Sequence, residues 1–569
     1  MAAPVFFHIS PEWCGDARLV RLFRRNGHRA AMCEKGGLAT EILLAEAEDR
    51  TPFEDRSNVR LFAGLWRNDP FWRPPLEAWR SVDFLARKLP DARFILTTRG
   101  LDGWLLDRLT RDRGAAARSH AYHRGIPESD LPELWEADWL AHMAAVDAVF
   151  GDDERLIRVD LETETPHDLI DRLRPLLPMP VKPVPLHWVP PPETIPDAQI
   201  LAALDRITAP AHPDPDYIRD VADFCLHGVT PGDGRAEGLS GYSCLWDGAA
   251  QITGPDKEPR RMRVVQNKAV SAPGRHFKLL RAEAVINDAL RLDRAMPLTI
   301  DMEDSRWLGS DDGPPLGRPV LGHCSRAGAR NMVLWPLPGQ HDIGLPGFDP
   351  TARPDPIPFD DKEDRLVWRG MISGSEMRDT VRPGPASHVF LRLLAEAGED
   401  PAARQQAFNG LCRTARMAFV RRFWDHPDFD VGIAMAWGYR EFAQDALIAP
   451  YCRPREKPGF FRRFRYQLCL TGYDHGSNFI PMIDSQSVLL KEEDGWEVFY
   501  SGRFQPWKHY IPVARYCSDI EEKLAWAREN PNECKAMSVA ARSECARLRD
   551  LPTRRAIMAA ILDGLAAAR

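Results

Sequence analysis

Two strand ends in the C-terminal part of the chain carry residue types suited to holding an anion. An apolar run from Tyr466 ends in Thr471-Gly472 and passes into a polar turn, Asp474-His475-Gly476-Ser477-Asn478, ahead of a short helix. Glycines let a backbone approach a phosphate closely, and free amides at a helix start favour negative charge, so this turn could hold a diphosphate. His475 is either a donor to a hydroxyl or phosphate, or a turn residue satisfied by backbone. Upstream, Val367-Trp368-Arg369-Gly370 is followed by Ser373-Gly374-Ser375 and then Arg378. The Arg369 guanidinium presents a fork of donors to diphosphate oxygens and Arg378 adds a second, the structural alternative for Arg369 being an ion pair. Glu497 accepts hydrogen bonds from hydroxyls or is a solvated acid. The acids Asp301, Glu303 and Asp304 follow an apolar run at 298–300. Such a group is a site or a solvated loop. Asp428-x-Asp430 has a spacing that can hold manganese or magnesium, but it has no companion feature nearby and is read as chance.

These residues need elements to position them. A chain of 569 residues exceeds one ordinary core, so two or three domains are expected. Residues 175–196, PLLPMPVKPVPLHWVPPPETIP, are too proline-dense for helix or sheet and read as an extended linker. Before them, strands at 5–9, 94–97 and 156–159 alternate with helices at 17–26, 38–48 and 134–150, the pattern of a parallel α/β sheet. After them the alternation resumes, with strands at 262–265, 298–300, 332–334, 366–368, 466–470, 487–490 and 509–513. Helices are expected at 277–290, at 518–529 and through the C-terminus. The expected division is a domain at 1–180, a linker at 181–197, and two doubly wound halves at 198–345 and 346–569 with ligands at their carboxyl strand ends.

Composition narrows the setting. The formal net charge is -7 with both signs interspersed, so a nucleic-acid footprint is not expected. No stretch approaches the roughly 18 apolar residues of a membrane span. The opening residues read as a buried strand and not as a leader. Eleven cysteines without a Cys-x-x-Cys pair suit reduced cytosolic thiols. A cytoplasmic protein is expected, with peripheral contact at the inner membrane face allowed.

Taken whole, residues 466–513 resemble glycosyltransferase family 90. The resemblance rests on the turn ending in Ser477-Asn478, the strand Ser487-Val488-Leu489-Leu490, the Trp496-Glu497-x-Phe499-Tyr500 cluster, and Pro506-Trp507-x-His509-Tyr510-Ile511-Pro512-Val513. The segment at Trp368-Arg369-Gly370 resembles the family's aromatic-Arg-Gly signature. The resemblance implies two facing Rossmann-like halves of GT-B type and inverting transfer of a glucose- or xylose-type sugar. The implied donor is a uridine-diphosphate sugar and the acceptor a glycan hydroxyl, as in a cell-surface polysaccharide or lipopolysaccharide precursor. It implies no metal and no other cofactor. The implied donor-binding residues are Arg369, Gly370, Ser375, Arg378, Asp474, His475, Gly476, Ser477, Asn478 and Glu497, with Arg369 also assisting the leaving group. Inverting transfer requires a carboxylate to take the acceptor proton, and the candidates are Asp304, then Asp301. The segment at 268–277, where the animal enzymes' base aligns, holds no carboxylate.

Residues 1–180 resemble bacterial sulfotransferases with a P-loop-like parallel sheet. The likeness lies in the opening FFHISPEWCGDARLVRLF, in FILTTRGLDGWLLDR at 94–108, and in the strand at 156–162. The family's phosphate-binding lysine is absent from Trp13-Cys14-Gly15-Asp16-Ala17-Arg18, and Asp107 stands where a serine is expected. Arg99 remains available for a phosphate. An aspartate inside such a turn repels an anion, so this domain is expected to lack activity. Two alternatives stay open: a bifunctional glycosyl- and sulfotransferase, and a non-catalytic carbohydrate-binding scaffold.

Overall fold

The structure, a computed structural model, describes residues 4–68, 73–177 and 213–568. The proposed linker lies outside the described residues from position 178 onward. The chain is a mixed α/β protein with several parallel sheets, and it divides into two compact units. The first comprises Met1–Pro210 with Cys244–Leu298, the second Ala211–Ser243 with Thr299–Arg569. Segment 244–298 therefore groups with the N-terminal residues and not with the half at 198–345. One cause is ionic: Glu283, on the helix Phe277–Arg291, is fully buried against Arg73 at 2.9 Å and Arg67 at 3.3 Å. Breaking such a pair strands a buried charge at a cost of about 3–5 kcal/mol.

The first unit is built on five parallel strands: β1 (Phe6–His8), β2 (Ala30–Met32), β3 (Leu61–Ala63), β4 (Arg93–Thr98) and β5 (Leu156–Asp160). Their order is β2-β3-β1-β4-β5. β1 is central and buried throughout, as expected of a parallel strand covered on both faces. Sequence reading missed β2 and β3, each three residues long and too short to show a period. The expected strand at 262–265 exists, but as one arm of an antiparallel hairpin with Lys268–Ser271.

The strand β6 (Pro297–Ile300) enters the second unit at Thr299, and its Ile300 pairs in parallel with Leu321 of β7 (Val320–Gly322), which in turn pairs in parallel with β9 (Met332–Leu334). The short β8 (Ser325–Arg326) lies between β7 and β9 in the chain. The larger sheet contains β10 (Glu363–Gly370), β11 (Phe429–Ile433), β12 (Phe464–Cys469), β13 (Val488–Glu492) and β15 (Ile511–Val513). It is parallel throughout, in the order β11-β10-β12-β13-β15. Helices cover it, and Leu366, Trp368, Tyr466, Leu468 and Leu490 form the centre of one continuous core. The two-residue β14 (Trp496–Glu497) leaves this sheet to pair antiparallel with β8, setting Arg326 opposite Trp496. No helix among the described residues is long and apolar enough to cross a membrane.

Candidate active site

The parallel order of the larger sheet brings the carboxyl ends of β10, β12 and β13 together, where such sheets bind ligands. Gly374, in the loop after β10, has φ 108°, and a Cβ there would stand 3.5 Å from the Gly472 carbonyl after β12. That φ favours glycine and sets the two loops side by side.

Arg416, on the helix Ala415–Phe423, fastens them. Its guanidinium donates to the carbonyls of Met371 at 3.1 Å, Leu470 at 2.9 Å and Thr471 at 3.0 Å, and to the Ser373 hydroxyl. The ring of Trp368 lies 5.5 Å from the guanidinium carbon. A planar cation with five donors can serve four acceptors from one position, which a lysine cannot.

A pocket opens at these loop ends, lined among others by Ser375, Thr471, Gly472, Glu492, Asp494, Arg326, Arg515, Trp307 and Trp496. Arg326 sits with its guanidinium carbon 4.8 Å from the Trp307 ring and 5.1 Å from that of Trp496. Glu492 accepts the amides of Thr471 at 3.0 Å and Tyr516 at 2.7 Å, while Asp494 accepts the Trp496 amide at 3.0 Å and the Thr471 hydroxyl. Burial raises both carboxyl pKa values, and the nearby Asp494 charge raises that of Glu492 further. Cations, aromatic faces and carboxylates thus meet in one hollow. Such a set suits the diphosphate, base and hydroxyls of a nucleotide.

The residues expected from the sequence are distributed unevenly around this pocket. Ser375 lines it. Arg369 is turned to the other side of β10, where it donates to the carbonyls of Trp368 at 3.0 Å and Asp430 at 2.6 Å and pairs with the Asp430 carboxylate. Gly370 ends the same strand, and a Cβ there would collide with the Trp368 ring at 2.4 Å. Arg378 is exposed, with Glu376 at 3.5 Å. In the turn after β12, Gly476 is packed so that a Cβ would stand 2.6 Å from Cys469 Sγ. Ser477 is exposed, and the Asn478 amide nitrogen is 2.7 Å from Met482 Sδ. Glu497 lies half-buried on β14 opposite Ser325, its pKa raised by burial. The Asp428-x-Asp430 pair serves two arginines, Arg528 at 2.8 Å from Asp428 and Arg369 against Asp430.

His475 is buried, with Nε2 3.2 Å from the Tyr500 hydroxyl, and burial pushes its pKa down to about 3. An unfolded histidine titrates near 6.5, so between the two values the unfolded chain binds more protons than the folded one. Stability is therefore full above about pH 6.5 and falls as pH drops toward 3, by about 1.4 kcal/mol per unit. His475→Gln should flatten this acid limb in unfolding midpoints measured from pH 7 to pH 5. An unchanged slope would contradict the assignment.

The acids after β6 separate clearly. Asp301 is 1% exposed and accepts the Ser240 amide at 2.7 Å and hydroxyl at 2.9 Å, so both oxygens hold the loop. The Asp304 side chain is 39% exposed, 3.3 Å from His323 Nε2. Its neighbour Ser305 donates its amide to Asp474 Oδ2 at 3.0 Å, and Trp307, two residues on, lines the pocket. Asp304 and Asp474 thus stand in loops that touch.

Sequence reasoning missed Arg416, Arg326, Arg515, Glu492 and Asp494. The two acids had a signal, since they follow a buried strand end. The arginines had none, being ordinary residues of a helix, a two-residue strand and a single 3-10 turn.

In the first unit, Asp16 enters the loop after β1. Its Oδ2 accepts the Trp13 amide at 3.1 Å and its Oδ1 lies 3.1 Å from His8 Nδ1. Arg99 is paired with Asp107 at 2.6 Å.

Comparison with known proteins bears on the part of the chain that forms this pocket. Residues 448–547 match the family described as glycosyl transferase family 90. The chain is 32% identical over 226 residues to Protein O-glucosyltransferase 3 of Homo sapiens, a match covering 37% of this chain and 40% of that protein. It is 25% identical over 185 residues to O-glucosyltransferase LpsA of Dichelobacter nodosus, covering 32% and 43%. The matches span about two fifths of these relatives' lengths.

Proposed function

We propose that the protein is an inverting glycosyltransferase of GT-B type that moves glucose from a uridine-diphosphate sugar to a hydroxyl of a glycan acceptor. The two halves would be the segments around β6–β9 and β10–β15. The names of the relatives favour glucose over xylose. A surface polysaccharide or lipopolysaccharide precursor assembled at the cytoplasmic membrane face is the acceptor class we favour. The observation that carries the reading is the Ser305–Asp474 hydrogen bond, because it fixes Asp304 beside the loop that borders the arginine pocket.

In this reading Arg326 and Arg515 hold the diphosphate, the task the sequence suggested for Arg369. Glu492 and Asp494 accept hydroxyl hydrogen bonds, and Trp307 or Trp496 offers a face to a ring. Asp304 takes the acceptor proton as the acceptor oxygen attacks the anomeric carbon and the bond to the diphosphate breaks. The arginines meet the charge gathering on the leaving group. Asp301, with both oxygens engaged, positions the loop. Against a second, sulfate-transferring site stands the Asp16 carboxylate, which takes up an amide that a phosphate would need.

A donor screen tests this. Release of uridine diphosphate should be fastest with uridine-diphosphate glucose, and uridine diphosphate should raise the unfolding midpoint while adenosine 3′,5′-bisphosphate does not. Indifference to every uridine-diphosphate sugar would refute it.

A further inference from the structure

Three side chains with metal-ligating atoms, His323, Cys324 and Asp474, gather beside the loop that carries Asp304. His323 and Cys324 directly follow β7 and are 4% and 2% exposed. Asp474 comes from the turn after β12, and one ligand atom from each of these three residues lies within 4.8 Å of the others. Asp474 Oδ2 is 3.8 Å from Cys324 Sγ, and Asp304 Oδ1 is 3.3 Å from His323 Nε2.

We propose that His323 Nε2, Cys324 Sγ, Asp474 Oδ2 and Asp304 Oδ1 form a site for a zinc-class divalent cation whose occupation silences glycosyl transfer. Tetrahedral zinc has bonds of about 2.0 Å to nitrogen and oxygen and about 2.3 Å to sulfur, which sets neighbouring ligand atoms roughly 3.3–3.5 Å apart. The His323–Asp304 separation of 3.3 Å already matches, the Asp474–Cys324 separation of 3.8 Å needs to close by a few tenths of an ångström, and the other separations among His323, Cys324 and Asp474, all within 4.8 Å, need to close by roughly an ångström at most. A mixed nitrogen, sulfur and oxygen set selects zinc over magnesium and calcium, which prefer oxygen alone. Asp474 also accepts the Ser305 amide, an outer bond of the kind that orients a ligating carboxylate. Coordination releases the Cys324 thiol proton to solvent, and no electron changes hands.

The inhibitory half rests on Asp304 being the base, since a carboxylate held by a cation cannot take a proton. The site itself does not. The probe is cobalt(II), titrated into the full chain after chelator treatment. One equivalent should bind with a thiolate-to-cobalt band in the near ultraviolet and d–d absorption of tetrahedral intensity, and zinc should abolish both. Cys324→Ser should lose the near-ultraviolet band, and His323→Ala should bind about tenfold more weakly or worse, each with its fold verified by circular dichroism. Zinc should inhibit transfer by the wild type and spare Cys324→Ser, whose zinc-free rate is retained. Absence of stoichiometric cobalt binding, or a spectrum unchanged by Cys324→Ser, would overturn the site. Stoichiometric binding with undiminished transfer would leave the ligand set standing and overturn both the inhibition and the role of Asp304.

Discussion

Asp304→Asn should lower the rate of transfer by roughly 10²–10⁴-fold while leaving the fold and donor affinity nearly unchanged. The asparagine keeps the shape and can still meet His323, but it cannot accept the acceptor proton. With its side chain 39% exposed, Asp304 is not part of the core, so the unfolding midpoint should hold. Asp301→Asn makes the contrast. Its buried oxygens accept the Ser240 amide and hydroxyl, and an amide group in their place turns one acceptor into a donor facing a donor. That variant should lose stability, by about 1–3 kcal/mol, as well as activity. Steady-state kinetics alongside thermal melts separate the two, and equal loss of stability in both would remove the distinction.

Arg416→Ala should abolish donor binding and lower the unfolding free energy by about 1–3 kcal/mol. The guanidinium serves three carbonyls and a hydroxyl from two loops that have no direct ladder between them beyond the strand ends. Its removal leaves those acceptors without partners and lets Ser373-Gly374 drift from Gly472. Arg416→Lys should rescue only partly, because an ammonium offers three donors where the native group uses a planar fork. Titration of each variant with uridine diphosphate, beside a denaturant melt, checks both effects. Full donor affinity in Arg416→Ala would show that the loops need no clamp.

The sequence was most readable where structure is continuous. The strands expected at 332–334 and 466–470 and the helix at 277–290 recur as Met332–Leu334, Phe464–Cys469 and Phe277–Arg291. Apolar runs bounded by turn residues carry that information locally. Site residues were harder, because their selection depends on which way a side chain points. Arg369 and Trp368 are neighbours on β10, and alternation sends Trp368 into the core beside Arg416 and Arg369 to Asp430. For His475 the sequence left a donor role and a structural turn role equally open, and no local pattern showed that Phe479 and Tyr500 would pack against its ring. Arg416 lies more than 40 residues from either loop it ties, a relation no local pattern encodes. The family 90 resemblance succeeded at 466–513 because several ordered features fell within one segment.

The central claim is that the arginine-lined hollow at the ends of β10, β12 and β13 receives a uridine-diphosphate sugar. Calorimetric titration of the full chain with uridine diphosphate tests it most directly. The account predicts one site, weakened about tenfold or more by Arg326→Ala and by Arg515→Ala, each removing a charge-assisted contact worth roughly 1.5–3 kcal/mol. Arg369→Ala should bind the nucleotide more nearly like the wild type. No measurable binding, or binding that neither Arg326→Ala nor Arg515→Ala disturbs, would contradict it.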